Sequence, residues 1–229
     1  MPWRLWIPDH MLSPGTMRNP WAREYALTPG RYIWGKAPSG FARELSALVP
    51  RGGRVLDLGC GEGRDSVYFA SRGFAVTGVD ASAAGLEKAD RLAAEQRVSV
   101  RWMCRSMLDL PVIGKFDLVY SCGSIHHVSK KDRCRLFRRL RTLTRPGGVH
   151  AHIVFTDVTV YAEKGEEIDY FVPGELGKFY SDWRALRYEE GAIPCSQDGS
   201  SHSHSIERIV TKRARPGATR TDFPPRILA

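Results

Sequence analysis

The sequence predicts an α/β domain built on a doubly wound, mostly parallel β-sheet. Short apolar strands alternate with amphipathic helices from about residue 37 to residue 155, and a glycine-rich turn joins the first strand to the next helix. Helices that connect successive strands act as crossovers, which make the strands parallel and cover both faces of the sheet. At 229 residues the chain is long enough for one well-buried domain and short for two.

The predicted elements follow one another closely along the chain. A helix is expected within residues 37–50, with Ser39 as its N-cap and Pro50 at its end. Another short helix is expected from Pro173 onward. The predicted strands are RVLDLG, FAVTGVD, VSVRWMC, FDLVYSCG and the apolar part of PGGVHAHIVF, and the intervening helices are RDSVYFASRG, SAAGLEKADRLAAEQR (capped by Ser82) and the basic segment 130–145.

The regions outside this alternation predict three further parts. Residues 1–35 are rich in Pro, Trp and Arg and predict an irregular arm that serves as a lid on the domain, residues 36–213. Within that domain, WRALRYEEG and SIERIVTKRA predict an antiparallel hairpin at the sheet edge, joined by the polar turn 192–204. Residues 214–229 have too little apolar content to pack and are predicted to be disordered.

Most of the net charge of +9 lies in one predicted helix, residues 130–145, which has eight basic residues and one acidic residue. Its apolar residues have the spacing of one helical stripe, so the arginines fall mostly on the opposite face. That face is either solvated or a patch for nucleic acid or phosphate, and charge does not distinguish the two. The apolar stripe consists of Leu136, Phe137, Leu140 and Leu143.

Cysteine and histidine spacing gives no sign of a disulfide framework or a metal site. The five cysteines are scattered, odd in number and without C-x-x-C spacing, which favours reduced thiols in the cytoplasm. His202 and His204 are expected in the hairpin turn with no third ligand nearby in sequence, which indicates a solvated loop and no metal. No apolar run approaches about 18 residues, so no membrane partner is expected.

The strongest functional signal is VLDLGCGEGRDS, residues 55–66, which places Gly59, Gly61 and Gly63 between the first strand and its helix. Glycines at this point let the chain turn sharply and let a ligand approach the backbone. A dinucleotide fingerprint would need glycine at position 64, which is Arg64. Asp80 ends the second strand, where it either accepts hydrogen bonds from both hydroxyls of a ribose or caps the next helix.

Five motifs in order then point to a family. The order VLDLGCGEGRDS, VTGVD, SMLDLP, FDLVYSCGSIHHV and LTRPGG resembles that of the class I S-adenosylmethionine-dependent methyltransferases, across residues 37–155. Together with the later GELGKFYSDWRALRYEEG, the first of these motifs resembles the branch that contains the tellurite-resistance methyltransferases and their small-molecule relatives. The resemblance implies a Rossmann-like seven-stranded sheet in the order 3-2-1-4-5-7-6, with strand 7 antiparallel.

The resemblance also implies S-adenosylmethionine as cofactor and a set of residues around it. Members of the superfamily often have an acidic residue toward the adenine where this chain has Ser106, and Met107 is expected to cover the ring. Tellurite-type enzymes usually have asparagine at the position of Asp65, which is expected to favour the dipole of its helix. The expected cofactor contacts are Trp34, Asp57, Gly59, Cys60, Gly61, Asp80, Ala81, Ser106, Met107 and Ser121.

The expected chemistry is alignment of a nucleophile with the sulfonium methyl and exclusion of water. An acceptor that is protonated at working pH also needs a base, for which His126 is the candidate, the alternative being a packed histidine. Arg64 either orients an anionic acceptor or lies on the surface. The aromatic arm and the segment 156–182 are expected to cover the acceptor, and the expected substrate contacts are Tyr25, Tyr32, His127, Asp157, Tyr161 and Tyr180.

Three functions remain open on the sequence. The first is methylation of a small molecule: a metabolite, a natural product or a chalcogen oxyanion. The second is methylation of RNA with the basic helix as its phosphate contact, although no appended RNA-binding domain or N-P-P-Y motif is present in the sequence. The third is cofactor binding without transfer, because an intact glycine motif indicates binding only.

Overall fold

The computed structural model describes residues 20–162, 168–197, 199 and 201–214. The predictions for residues 1–19 and for the tail 215–229 fall outside the described residues. The helices are α1 (Pro20–Leu27), α2 (Gly40–Leu45), α3 (Arg64–Ser71), α4 (Ala83–Glu95), α5 (Lys130–Thr142) and α6 (Glu175–Lys178). The strands are β1 (Arg54–Leu58), β2 (Ala75–Asp80), β3 (Arg101–Cys104), β4 (Phe116–Cys122), β5 (Thr144–Phe155), β6 (Arg184–Cys195) and β7 (His202–Lys212).

The strands form a seven-stranded sheet in the order β3-β2-β1-β4-β5-β7-β6. The first five are parallel to their neighbours, and β7 runs antiparallel to both β5 and β6. The predicted fold class and strand order are therefore confirmed. Because the five strands β1 to β5 all point the same way, their carboxyl ends meet along one edge, where doubly wound sheets bind ligands.

Helix capping explains where two of the helices begin. The Ser39 hydroxyl accepts a hydrogen bond from the Ala42 N–H at the start of α2, and the Ser82 hydroxyl accepts one from the Gly85 N–H at the start of α4. Both caps are as predicted. A cap of this kind satisfies one of the N–H groups that the first helical turn leaves without a partner.

Three predicted boundaries differ from the structure. Part of the expected irregular arm is a helix, α1, whose Tyr25 is buried against the domain. The hairpin strands are longer than predicted, so residues 192–195 belong to β6 and residues 202–204 to β7. The prediction of a solvated turn at His202 and His204 is therefore wrong, because both residues pair with β6 across the hairpin. The polar composition of this stretch had indicated a turn.

The basic helix α5 buries its apolar stripe as predicted, with Leu136, Phe137 and Leu140 all inaccessible to solvent. Its arginines do not all lie on a solvated face. Arg133 is fully buried and its guanidinium forms two hydrogen bonds, of 2.8 and 2.9 Å, with the Glu175 carboxylate. The same guanidinium stacks on the Phe171 ring at 3.7 Å. This arginine therefore anchors the segment that follows β5 onto the domain.

Two further observations describe the chain as a whole. All five cysteines are free. Among the described residues, no helix combines the length and the apolar character that a membrane crossing requires.

Candidate active site

A cavity of about 490 Å³ opens at the carboxyl-terminal ends of β1, β2, β4 and β5. Its volume lies in the range of small-molecule sites. The residues that line it come from the glycine turn, the ends of these strands, the N-terminal arm and β6. They are Trp21, Tyr25, Trp34, Asp57, Gly59, Cys60, Gly61, Glu62, Arg64, Asp65, Val79, Asp80, Ala81, Arg105, Ser106, Met107, Leu108, Tyr120, Cys122, Gly123, Ser124, His127, Val128, Ser129, Asp132, Ile153, Phe155 and Ile193.

The glycine turn forms the floor of this cavity in a left-handed conformation, with φ of 65° at Gly59 and 52° at Gly61. A Cβ at Gly59 would lie 2.3 Å from the Ser124 Cβ, and a Cβ at Gly61 would lie 2.7 Å from the Tyr25 hydroxyl oxygen. Because Gly59 and Gly61 have no side chain, the loop after β4 can pack against Gly59 and the N-terminal arm can pack against Gly61. Besides the sharp turn and the approach of a ligand expected from the sequence, the glycines therefore allow close packing within the protein.

Asp80 ends β2 and faces the cavity. One of its oxygens accepts a hydrogen bond from the Gly61 N–H and the other accepts one from the Ser82 N–H, both at 2.8 Å. Burial raises the pKa of Asp80, while the two N–H groups act in the opposite direction. Asp80 is not the cap of α4, since Ser82 has that role. Each carboxylate oxygen has a further lone pair, so Asp80 can also accept from a ligand.

A second buried carboxylate, Asp57, lies at the end of β1. Burial raises the pKa of the Asp57 carboxyl to about 8, and the negative charge of Asp65 acts in the same direction. The Ser66 hydroxyl donates a 2.6 Å hydrogen bond to it. Since negative charge is unfavourable here without a partner, the site favours a ligand with a positive charge.

Asp65 has a larger role than the helix-dipole effect expected of it. Its carboxylate accepts hydrogen bonds from the Ser39 N–H at 2.7 Å and from the hydroxyls of Ser39 and Tyr120 at 2.9 and 2.7 Å. Asp65 therefore joins the start of α2, the start of α3 and the end of β4 at the wall of the cavity. Both partners are distant in sequence, so no local pattern indicates this role.

The N-terminal arm is attached to a buried ion pair of the domain, in which the Lys88 Nζ lies 2.9 Å from the Glu62 Oε1. The Glu62 carboxylate accepts hydrogen bonds from the N–H groups of Ile33 and Trp34, each 3.1 Å long. The Lys88 ammonium also donates to the Arg31 carbonyl at 2.8 Å. A charged pair so deeply buried is stable only when its remaining hydrogen bonds are made, and here the arm supplies them.

Three aromatic residues of the arm cover the cavity. The Trp21 and Trp34 rings lie 4.7 Å apart between centroids, and the Trp34 indole N–H donates to the Tyr25 hydroxyl at 3.0 Å. Arg64 lines the cavity beside them and donates a 2.9 Å hydrogen bond to the Trp34 carbonyl. The structure thus brings Tyr25, Trp34 and Arg64 to the cavity, and adds Trp21, which the sequence argument missed.

The loop after β4 contributes His127 rather than His126. His127 is half-buried and lines the cavity, whereas His126 is fully buried and stacks on Phe155 with centroids 4.2 Å apart. Burial, together with the nearby charges of His204 and Arg133, lowers the pKa of His126 to about 3. His126 is therefore a histidine that packs in the core against Phe155. This was the alternative to its role as a general base. Two consecutive residues of a tight turn point in different directions, and the sequence does not reveal which one faces the site.

Five other expected site residues do not line the cavity. Ser121 alternates with Tyr120 and Cys122 along β4, so it faces the opposite side of the sheet, where it shares a 2.8 Å hydrogen bond with the His152 Nδ1. The Tyr180 hydroxyl is buried against the His150 Nδ1 at 2.8 Å.

The remaining three lie farther out. The Tyr32 hydroxyl donates to the Lys88 carbonyl at 2.8 Å, beside α4. Asp157 is exposed, and the Tyr161 ring stacks on the His202 ring with centroids 3.6 Å apart. Aromatic composition alone did not separate residues that pack within the core or on the hairpin from residues that face the cavity.

The expected cofactor contacts other than Ser121 all line the cavity. They meet at one place because the carboxyl ends of β1, β2 and β3 are neighbours in the sheet. Ser124, whose hydroxyl donates a 2.7 Å hydrogen bond to the Leu58 carbonyl, was missed, although it belongs to the quoted motif FDLVYSCGSIHHV.

Comparison with known proteins agrees with this arrangement. Residues 55–148 match the family described as "Methyltransferase domain". These residues form a domain of the class I S-adenosylmethionine-dependent methyltransferases. The resemblance stated from the five motifs is thereby confirmed, and S-adenosylmethionine is the cofactor of this family.

Individual proteins resemble parts of this chain. Trans-aconitate 2-methyltransferase of Deinococcus radiodurans is 40% identical over 119 residues, which are 50% of this chain and 43% of the relative. TehB from Haemophilus influenzae has a TM-score of 0.70 at 18% identity, over 78% of this chain and 63% of that one. The N-methyltransferase NodS from Bradyrhizobium japonicum, in complex with S-adenosyl-L-homocysteine, has a TM-score of 0.65 at 12% identity, over 85% and 99%.

The solved structures, at these identities, show the fold. The chain spans about half the length of the curated relatives it matches.

Proposed function

We propose that this protein transfers the methyl group of S-adenosylmethionine to a small-molecule acceptor. The proposal rests on the enclosure of the cavity. The glycine turn and Asp80 lie on one side, the loop after β4 and the end of β5 lie on the other, and the aromatic arm lies above them. An acceptor has to fit, together with the cofactor, into about 490 Å³. That space suits a small molecule better than a folded nucleic acid.

The cofactor half of the cavity is assigned to the residues at the ends of the first three strands. S-adenosylmethionine supplies an electrophilic methyl group on a positively charged sulfur. The Asp80 carboxylate would accept hydrogen bonds from the ribose hydroxyls, and Ser106 and Met107 would meet the adenine. Asp57 lies where a positive charge on the ligand would stabilise its ionised form.

The acceptor half of the cavity is assigned to the opposite wall. Phe155, Ile153 and Ile193 make that wall apolar, so they would exclude water from the point of transfer. Arg64 lines the same cavity and can orient an anionic acceptor, since its guanidinium has donors beyond the one bound to Trp34. The relative from Deinococcus radiodurans is a trans-aconitate 2-methyltransferase, so its named acceptor is a small carboxylic acid.

His127 is the residue we propose as general base, in place of His126. The proton would pass from an acceptor hydroxyl or thiol to a ring nitrogen of His127 as the nucleophile attacks the methyl group. An acceptor that is already deprotonated would need no such step. Alignment by the cavity walls would then supply most of the rate enhancement.

RNA is the less favoured acceptor because three of the seven basic residues of α5 make contacts within the protein, so less of the charge of this helix faces solvent than the sequence suggests. Arg133 is buried against Glu175, Arg139 donates to the Leu110 carbonyl at 2.8 Å, and Arg141 pairs with Asp182. Four basic residues of α5 remain exposed: Lys130, Lys131, Arg135 and Arg138.

The test is a transfer assay with cofactor labelled in the methyl group and an extract of small molecules and RNA. The label is expected in the small-molecule fraction, and it should disappear with the Asp80→Asn variant. Label in RNA would contradict the proposal, as would no transfer to either fraction by a protein that binds the cofactor.

A further inference from the structure

A cluster of three potential metal ligands lies on the β6–β7 hairpin. Cys195 is the cross-strand partner of His202, and His204 lies two residues farther along β7. Residues two apart in a strand face the same side, as do directly opposed residues of two antiparallel strands. The register therefore places all three side chains on one face. The cysteine sulfur and one ring nitrogen of each histidine lie within 4.8 Å of one another.

Aromatic packing orients both imidazole rings of this cluster. The His202 ring stacks on Tyr161, with planes 4° apart, and the His204 ring stacks on Phe155, with centroids 4.0 Å apart. The two Nε2 atoms face each other across a 3.0 Å hydrogen bond. That bond needs one Nε2 to hold a proton and the other to accept it, so a change of tautomer would present two lone pairs at the same point.

We propose that Cys195, His202 and His204 bind a zinc ion. One thiolate and two imidazoles form a donor set that suits Zn²⁺, and three protein ligands leave the fourth tetrahedral position for water or another ligand. Ligand atoms around tetrahedral zinc lie roughly 3.3–3.7 Å apart, given bonds of about 2.0–2.3 Å. The two Nε2 atoms, 3.0 Å apart, would separate slightly, and the Cys195 sulfur would approach them by up to about one ångström. On binding, the Cys195 sulfur gives up its proton to solvent as the sulfur–zinc bond forms.

The site adjoins the acceptor side of the cavity without being part of it. Phe155 lines the cavity and stacks on His204, while Ile193 lines the cavity and is the cross-strand partner of His204. A metal held by the hairpin would fix both strands behind this apolar wall. Its half-buried ligands Cys195 and His202 leave a route for the ion to enter.

The test is a titration of the full-length chain, without a histidine tag and under reducing conditions, with Co²⁺ as a spectroscopic probe and Zn²⁺ as competitor. We expect one Co²⁺ per chain, a near-ultraviolet thiolate-to-cobalt charge-transfer band, and displacement of Co²⁺ by Zn²⁺. Cys195→Ser should abolish the band and weaken Zn²⁺ binding by about 100-fold, and His202→Gln should weaken it by at least tenfold.

Cys134→Ser is the matched control, because Cys134 is exposed on α5. It should keep the band and the affinity. Both ligand variants replace half-buried side chains, and circular dichroism checks that they fold. Absence of saturable binding at one ion per chain would overturn the proposal, as would a band that is lost with Cys134→Ser and kept with Cys195→Ser.

Discussion

At the scale of single residues, Asp80 holds the glycine turn and is also our proposed contact for the ribose of the cofactor. Its carboxylate holds the Gly61 and Ser82 N–H groups and has lone pairs left for a ribose. Asp80→Asn removes the charge but keeps one acceptor oxygen. We expect cofactor affinity to fall at least tenfold, because hydrogen bonds to a charged group are worth about 1.5–3 kcal/mol each. Calorimetric titration with S-adenosyl-L-homocysteine measures this.

Ser82→Ala is the control for Asp80, since it removes the cap of α4 and leaves the carboxylate in place. Loss of an N-cap costs about 1 kcal/mol of the free energy of unfolding, and the affinity should change little. If Asp80→Asn lowered stability and left the affinity unchanged, Asp80 would be a structural residue only.

Asp57 predicts a dependence of stability on pH. Burial raises its folded-state pKa from the ordinary 3.8 to about 8, so the folded protein binds more protons than the unfolded chain between these values. The contribution of Asp57 to stability is therefore fully present below about pH 4 and is lost as the pH rises through about 8. Denaturant unfolding at a series of pH values should show this fall, and Asp57→Asn should remove it.

The control for Asp57 is Glu87→Gln, an exposed carboxylate on the outer face of α4, which should keep the fall. A positively charged ligand favours ionised Asp57, so cofactor binding should release protons and strengthen as the pH rises toward 8. Calorimetry in buffers of different ionisation enthalpy measures that release. An equal slope of stability in wild type and Asp57→Asn would show that other groups cause the pH dependence.

We expect different effects when each of the two histidines after β4 is replaced by alanine. His127→Ala should lower turnover by about 100-fold at nearly unchanged cofactor affinity, because a positioned base contributes about that factor or more. His126→Ala should mainly lower the free energy of unfolding, since it leaves a void beside Phe155. Steady-state kinetics and thermal unfolding distinguish the two effects. A wild-type rate for His127→Ala across pH 6 to 9 would exclude proton abstraction by this residue.

At the scale of elements, the basic helix α5 divides into arginines that hold the fold and arginines that face solvent. Arg133→Gln leaves the Glu175 carboxylate without its partner, and breaking a buried pair costs about 3–5 kcal/mol of the free energy of unfolding. The double variant Arg135→Gln/Arg138→Gln should leave stability and turnover unchanged, because both residues are exposed. Thermal unfolding and the transfer assay check both expectations.

The exposed pair also tests the RNA alternative. A steep dependence of RNA binding on salt, lost in the double variant, would indicate a phosphate-binding surface on α5. Methyl transfer to RNA that the same variant abolishes would then favour that acceptor over a small molecule.

The elements show what the sequence can and cannot predict. Strand alternation, the caps Ser39 and Ser82 and the buried stripe of α5 depend on local patterns, and the structure has them where the sequence placed them. The extent of the hairpin depends on pairing between distant residues, so polar residues such as His202 were assigned to a turn. Arg133 shows the same limit, because its burial depends on Glu175, which is distant in sequence. Side-chain direction at His126 and Ser121 likewise follows from tertiary geometry.

At the scale of the whole molecule, the arm and the domain are joined through the Glu62–Lys88 pair. Lys88→Met leaves the Glu62 carboxylate buried without its cation and removes a donor to the Arg31 carbonyl. We expect trypsin to cleave after exposed Arg31 at least ten times faster in this variant, because a buried pair of this kind holds about 3–5 kcal/mol. Timed digestion followed by mass spectrometry measures the rate.

Glu95→Gln is the control for the arm, since it breaks only the exposed contact between Lys36 and Glu95. Exposed pairs contribute little, so cleavage after Arg31 should proceed as in wild type. Equal cleavage rates in Lys88→Met and wild type would show that other contacts hold the arm.

The arm over the glycine turn also has a consequence for the timing of the reaction. We expect spent cofactor to leave, and fresh cofactor to enter, as Trp21, Tyr25 and Trp34 move aside, and the Glu62–Lys88 pair should oppose that movement. Exchange rather than bond formation would then set the steady-state rate. A rapid-mixing experiment should show a burst of one methylated product per protein molecule before the slower steady phase. A looser arm, as in Lys88→Met, should shrink the burst and speed the phase that follows.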